Sequence, residues 1–368
     1  YLNKRIEHVG EGWLGRYKLG LDYTLSKQSV DGIVVSGLNW NGNETENTQS
    51  TILDKFGQPD SMTLARSENN ITLKNYDINL NYKLSIKKGN SLTTNLDYIA
   101  YNSQDNQSFF TNLLKQKDTV IGYSPSDTKI YSAKIDYKQM IGKEGHLTLG
   151  VKQSYVHTKN ISDYYNKKNG VLISDLRRNN FYLYDEIISS AYTSFSEKIK
   201  NTSIQLGVRV ENTITRGEQL GNAVIPSNKF NRNFLSFFPT VYLSQYLDSS
   251  LHHSIGLNYG KRIERPYYRY LNPRIVQMDK FTFREGNPYL QPSFTHKVEF
   301  YYSYKDKIIT TLSYSNSKDQ VNETIEANSA SFVHRPNNID NTKVLSLGMN
   351  LSHTFKKSFD INFNFLYI

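Results

Sequence analysis

Residues 76–86 read Y-D-I-N-L-N-Y-K-L-S-I. In an extended chain, Tyr76, Ile78, Leu80, Tyr82, Leu84 and Ile86 lie on one face, and Asp77, Asn79, Asn81, Lys83 and Ser85 on the other. A strand of a soluble sandwich runs about five or six residues. This alternation is sustained for about eleven, enough to cross a bilayer as a tilted strand. It recurs at Ile204, Leu206, Val208 and Val210, at Leu251, His253, Ile255, Leu257 and Tyr259, and at Leu345, Leu347, Met349 and Leu351. Phe359, Ile361, Phe363, Phe365 and Tyr367 open another such strand.

Short polar turns separate these strands: Ser26–Ser29, Lys87–Asn90, Gly142–Gly145, Lys198–Asn201, Asp248–Ser250, Lys305–Lys307 and Lys356–Ser358. They recur roughly every 50 to 60 residues, one strand up, a long loop, and one strand back. Short turns at one end and long loops at the other are the layout of an antiparallel transmembrane β-barrel, and seven turns predict about fourteen strands. The loops are expected at roughly 41–70, 104–127, 159–178, 217–232, 265–291 and 318–342, where Asn, Ser, Gly and Asp gather. Eight of the nine prolines lie in or beside them; Pro239, which begins a strand, is the exception. Aromatics near strand ends, such as Phe181, Tyr182, Tyr184, Phe237 and Phe238, are expected to form girdles at the membrane–water interfaces.

Composition agrees. The chain has 28 Tyr and 18 Phe but is only 38 % hydrophobic, with a mean hydropathy of -0.59. A barrel with one lipid face and one wet face has that balance. No window approaches the ~20 apolar residues of a membrane helix. With no cysteine, thiolate metal and disulfide chemistry are excluded. The net charge of +10 is spread over turns, loops and lumen-facing positions rather than in one stripe. It therefore points to anionic outer-membrane lipid and lipopolysaccharide, and not to nucleic acid.

Catalytic and metal patterns are weak. His252 and His253 are adjacent and would point to opposite faces of a strand, so they cannot grip one metal. His252 and Ser254 share a face about 7 Å apart without an orienting acid, too far for a nucleophile and its base. Gly10, Gly12 and Gly15 follow no strand of a βαβ unit. The Asn-Gly-Asn-Glu run at 41–44 offers loop oxygens but no full cation ligand set. Lys83, Asp97, Lys134, Asp136, Lys138, Arg209, Glu211 and Glu299 are expected on the lumen face as cross-strand charge ladders. The chain is read as a non-enzyme without a cofactor.

From Tyr259 the sequence reads Y-G-K-R-I-E-R-P-Y-Y-R-Y-L-N-P, and from Phe283 F-R-E-G-N-P-Y-L-Q-P. These stretches resemble the C-terminal barrel of TonB-dependent receptors, in particular the outer-membrane β-barrel family common in Bacteroidetes. Gly286, Asn287, Pro288, Leu290 and Pro292 carry the broader likeness; Arg265, Pro266, Asn272 and Pro273 carry the narrower one, with S-F-F-P-T at Ser236–Thr240. Tyr289, where such receptors often have an acid, and Gln291–Ser293, where they often have Lys-Pro-Glu, depart from the pattern. The motif residues are expected to be structural. The likeness implies a Gram-negative outer membrane and a barrel of about 22 strands. On that reading residues 1–368 are one partial barrel domain, with some strands and an N-terminal plug lying elsewhere. It also implies import of a nutrient ligand driven by a TonB-type energising complex acting through that N-terminal region, with a surface lipoprotein or larger complex as a further partner. A structural barrel subunit and a passive porin-like channel stay open as alternatives.

Overall fold

The computed structural model describes residues 2–113, 116–279, 281–327, 331–339, 341–355 and 359–368. In chain order the strands are β1 (Leu2–Thr24), β2 (Ser29–Leu53), β3 (Pro59–Ser85), β4 (Ser91–Leu113), β5 (Gln116–Ile141), β6 (Gly145–Lys168), β7 (Val171–Ser174), β8 (Asn180–Ile199), β9 (Thr202–Leu220), β10 (Asn228–Tyr246), β11 (His253–Glu264), β12 (Ile275–Gln277), β13 (Thr282–Glu285), β14 (Ser293–Tyr304), β15 (Ile308–Lys318), β16 (Val321–Ala327), β17 (Phe332–Asn338), β18 (Thr342–Phe355) and β19 (Phe359–Tyr367). One short helix, α1, spans Tyr268–Leu271.

Fourteen of the strands form one antiparallel meander in the order β1-β2-β3-β4-β5-β6-β8-β9-β10-β11-β14-β15-β18-β19, and β7 pairs back on β6. This is the transmembrane barrel wall that the turn spacing predicts. The turn expected at Lys356–Ser358 lies outside the described residues, but β18 and β19 pair antiparallel on either side of it.

Register places like side chains together. Leu80 faces Leu96, and Ile78 faces Tyr98, which faces Tyr131, which in turn faces Tyr155. Leu80 and Leu96 are nearly half exposed, on the lipid side. The ring centroids of Tyr98 and Tyr131 are 5.1 Å apart, and those of Tyr131 and Tyr155 6.3 Å. They form a girdle row over three strands. The five aromatics expected in girdles divide between the two faces. Phe237 is exposed, whereas Tyr182, Tyr184 and Phe238 are buried toward the lumen. Successive side chains of a strand point opposite ways, so a run of aromatics cannot all face lipid.

Four of the six expected loops are largely ladder. Residues 41–53 belong to β2 and 59–70 to β3, leaving a turn of only a few residues. Most of 104–127 is paired between β4 and β5. At 159–178 the chain makes a tight hairpin on Asn169 and Gly170, both with positive φ (49° and 82°), the geometry Asn-Gly favours. Polar composition misleads here because a strand beyond the membrane has water on its outer face. Its amides and hydroxyls then pair across strands, as Asn70 to Asn43 (2.8 Å) and Ser126 to Asn160 (2.7 Å) do. Pro125 lies within β5, and the β5–β6 pairing is interrupted at Ser124 and Pro125, where the absent N–H would have been needed. Pro239 lies one residue before the β10–β11 ladder begins at Thr240, a position that tolerates it.

Lumen charges pair mostly along a strand rather than across it: Lys134 with Asp136 (2.8 Å), Arg209 with Glu211 (3.5 Å) and Lys297 with Glu299 (2.8 Å). Residues two apart share a face, and the cross-strand neighbours are neutral or of like sign; Lys134 lies opposite Asn95 on one side and Lys152 on the other. Asp97, for example, accepts from Asn79 at 2.6 Å.

At the turn end, Asp248 organises the β10–β11 hairpin. Its carboxylate accepts from the backbone N–H of His253 (2.7 Å) and His252 (2.9 Å) and from the Ser250 hydroxyl (2.5 Å). The Ser250 hydroxyl first, then the two N–H groups, hold this carboxyl well below the usual carboxylate range. A depressed folded pKa contributes stability that is full above the unfolded value of about 4 and is lost as pH falls through the folded value. Amide exchange at His252 and His253, corrected for intrinsic rate, is expected to stay constant from pH 7 to about 4 and to accelerate below it. In Asp248→Ala it should be fast throughout. A flat profile in the unmodified protein would show that the carboxylate does not hold the turn.

Candidate functional site

The two remaining expected loops, 265–291 and 318–342, leave the wall and fold together. They contribute the strands of a second sheet in the order β12-β13-β17-β16, in which β13 and β17 run parallel. This insert is rooted at the end of β11 yet reaches strands far around the barrel. Gln107 of β4 donates to the Gln277 carbonyl at 3.3 Å, Arg178 donates to Gln277 Oε1 at 2.7 Å, and Lys4 of β1 pairs with Asp279. Asp279 is 1 % exposed, so the lumen-crossing contact to β1 is shielded from water.

The motif residues from Arg265 to Pro292 lie in this insert, whereas the S-F-F-P-T segment lies in β10. Arg265 donates through Nη2 to Glu211 Oε1 and to Thr213 Oγ1 (3.1 Å), and its Nε lies 4.0 Å from Glu186. Glu186 also accepts from Tyr268 (3.0 Å) and Tyr184 (3.2 Å). Both carboxylates are buried, so one guanidinium ties the start of the insert to β8 and β9. Pro266 follows and prevents β11 from continuing as a ladder. Asn272, also buried, accepts from Asn180 of β8 at 2.7 Å and from the Arg274 N–H at 3.2 Å; Pro273 sits between those two contacts. A Cβ on Gly286 would stand 1.9 Å from the Asn272 carbonyl oxygen, a backbone approach that only glycine permits. Asn287 donates to the Pro336 carbonyl (3.2 Å) and Asn337 (2.9 Å), linking the two halves of the insert. Its own side chain accepts from the Tyr289 N–H, bending the chain around Pro288. Leu290 is buried against Tyr182, Tyr184 and Leu271, and its carbonyl accepts from Arg232 at 2.5 Å. Pro292 ends the insert one residue before β14.

Between the insert and the lumen faces of β2, β3 and β4 lies a cavity of about 590 Å³. The wall contributes Glu44, Glu46, Asp105, Ser67, Asn69 and Gln107; the insert contributes Arg269, Tyr270, Arg274, Gln277, Arg284 and Glu285. Arg284 pairs with Glu323 (3.2 Å), and Glu285 with Arg335 (2.6 Å). Glu44, Glu46 and Asp105 on one side and Arg269 and Arg274 on the other close no ion pair among the described residues. Of these five only Glu44 stood out in the sequence. Glu44 belongs to the 41–44 run, but that run lies within β2, where alternation sends Asn41 and Asn43 to the face opposite Glu44. Those oxygens therefore do not gather around one cation. His252 and Ser254 do not form a pair either: His252 lies in the turn and Ser254 in β11.

The sequence profile of the outer membrane protein beta-barrel family matches residues 84–368. Among solved structures, the ferric yersiniabactin uptake receptor of Yersinia pestis is similar over 99 % of this chain and 61 % of its own, with a TM-score of 0.56 and 10 % identity. The siderophore receptor PiuA from Acinetobacter baumannii is similar over 100 % and 63 %, at 0.54 and 10 %. The ferripyoverdine receptor of the Pseudomonas aeruginosa outer membrane is similar over 98 % and 56 %, at 0.53 and 13 %. At these identities the likeness is one of fold. The chain spans about three fifths of the length of these receptors. No curated protein matches it in sequence.

Proposed function

Because the chain belongs to the outer membrane protein beta-barrel family, we propose that it forms the barrel of a gated outer-membrane receptor that imports a polar nutrient ligand. The observation that supports this reading is the insert: its 265–291 part is bonded to β1, β4 and β8, and its 318–342 part pairs with it in one sheet. A constriction of this kind sets selectivity in a passive pore, whereas an insert bonded to strands far around the barrel shapes a site and can couple binding to opening. On this proposal residues 1–368 are one transmembrane barrel domain, and an N-terminal plug encoded upstream contacts a TonB-type energising complex. Cations of the outer face meet lipopolysaccharide phosphates. The motif residues Arg265 to Pro292 serve as struts of the insert, and the ligand meets the cavity beside them.

The test is conductance of the full-length protein in planar bilayers. Gated import predicts no steady current without the energising partner. A persistent open-channel current would sink the proposal and favour a porin-like channel.

A further inference from the structure

The five unpaired charges of the lumen cavity are sorted by sign. Glu44 and Glu46 on β2 and Asp105 on β4 are on the wall side, and Arg269 and Arg274 are on the insert side. Asp105 Oδ1 is buried and has no hydrogen-bond partner among the described residues. Among the described residues Glu46 reaches only the Thr48 hydroxyl, at 3.1 Å. Arg269 lies over the rings of Tyr270 and Tyr267, at 5.0 and 5.8 Å. Opposite charges facing one gap without closing leave both sets with unmet electrostatic demand, because partly desolvated ions are costly unless paired.

That demand discriminates between ligand classes. A neutral sugar filling the cavity would displace water from five ions and return no charge to any of them. A polyanionic chelate would meet a net charge of about -1, two guanidiniums against three carboxylates. A molecule with an ammonium at one end and a carboxylate at the other satisfies both sides. The wall also carries Ser67, Asn69 and Gln107 and the insert Gln277, side chains that can donate to and accept from peptide groups. The volume lies within the roughly 300–1,000 Å³ of small-molecule sites. Resting on the receptor reading, we infer that this cavity takes a short zwitterionic peptide, its amino group toward Asp105 and the Glu44–Glu46 pair and its carboxylate toward Arg269 and Arg274.

The experiment is titration calorimetry on the full-length protein in detergent, with four probes: tetra-alanine with free termini, its N-acetylated form, its C-amidated form, and maltotetraose. The free peptide should bind, and blocking either terminus should weaken binding about tenfold or more, as expected for loss of a charge-assisted hydrogen bond. Asp105→Asn should weaken binding of the free peptide but leave that of the N-acetylated form unchanged. Arg274→Gln should do the same with respect to the C-amidated form. Heat-modifiable electrophoretic mobility verifies that each variant is folded, and the four probes on the unmodified protein decide the matter even if a variant is not. Equal binding of free and blocked peptides, tighter binding of maltotetraose, or no peptide binding at millimolar concentration each overturns the peptide assignment. The receptor reading would survive those outcomes, since it stands or falls on the bilayer measurement.

Discussion

Arg265→Leu is expected to loosen the entire start of the insert while leaving the barrel wall intact. The substitution fills similar space but removes the one cation that meets both Glu211 and Glu186, whose side chains are 6 % and 4 % exposed. Removing one partner of a buried ion pair costs about 3–5 kcal/mol, because the remaining charge stays desolvated and unpaired. Among the described residues Glu211 keeps Arg209 at 3.5 Å, whereas Glu186 is left with the hydroxyls of Tyr268 and Tyr184 alone, so the cost should sit at the lower end. It is expressed locally: the strands keep their ladders, and the insert moves off the wall to let water in. Hydrogen exchange should therefore accelerate in residues 265–291 and stay unchanged in β8 and β9. Adding Glu186→Gln to the variant removes the stranded charge and should recover part of the loss. If exchange in the insert does not change, Arg265 is not what ties it down.

The wall was legible in the sequence because its signals are local. A turn such as Lys305–Asp306, both residues at positive φ, and an alternating run such as Tyr76–Ile86 each carry their meaning within a dozen residues. Fourteen strands in simple hairpin order follow from the repetition of those two patterns. Strand length was not legible. Asn43 and Asn70 look like loop residues in sequence, yet they pair across β2 and β3, and period two is hard to see when both faces are polar. The site was hidden for a different reason. Glu44, Asp105 and Arg274 are far apart in the chain and come together only because the insert folds back across the lumen. No residue near Arg274 records that destination. The motif around Gly286 marked the right segment by resemblance alone. Its physical basis, contact with the Asn272 carbonyl, needs the two halves of the turn side by side.

Leu290→Ala tests the apolar half of the same attachment. Leu290 is 2 % exposed and packs with Tyr182, Tyr184 and Leu271, with Phe230, Tyr268, Tyr270 and Val321 around them. Truncating a buried leucine costs about 2–5 kcal/mol, depending on how far the site collapses. Four tyrosines leave little room for collapse, because moving one would strain hydroxyls such as that of Tyr268, which holds Glu186. Leu290→Met, which nearly conserves volume, should cost less than about 1.5 kcal/mol. The informative comparison is Leu290→Ala combined with Arg265→Leu. If the insert detaches as one unit, whichever substitution releases it first also removes the other contact, and the double variant should lose clearly less than the sum of the two. Exchange free energies across residues 265–291 supply all the values. Strict additivity would mean that the charged and apolar contacts hold separate segments, and the insert could not then act as a single gate.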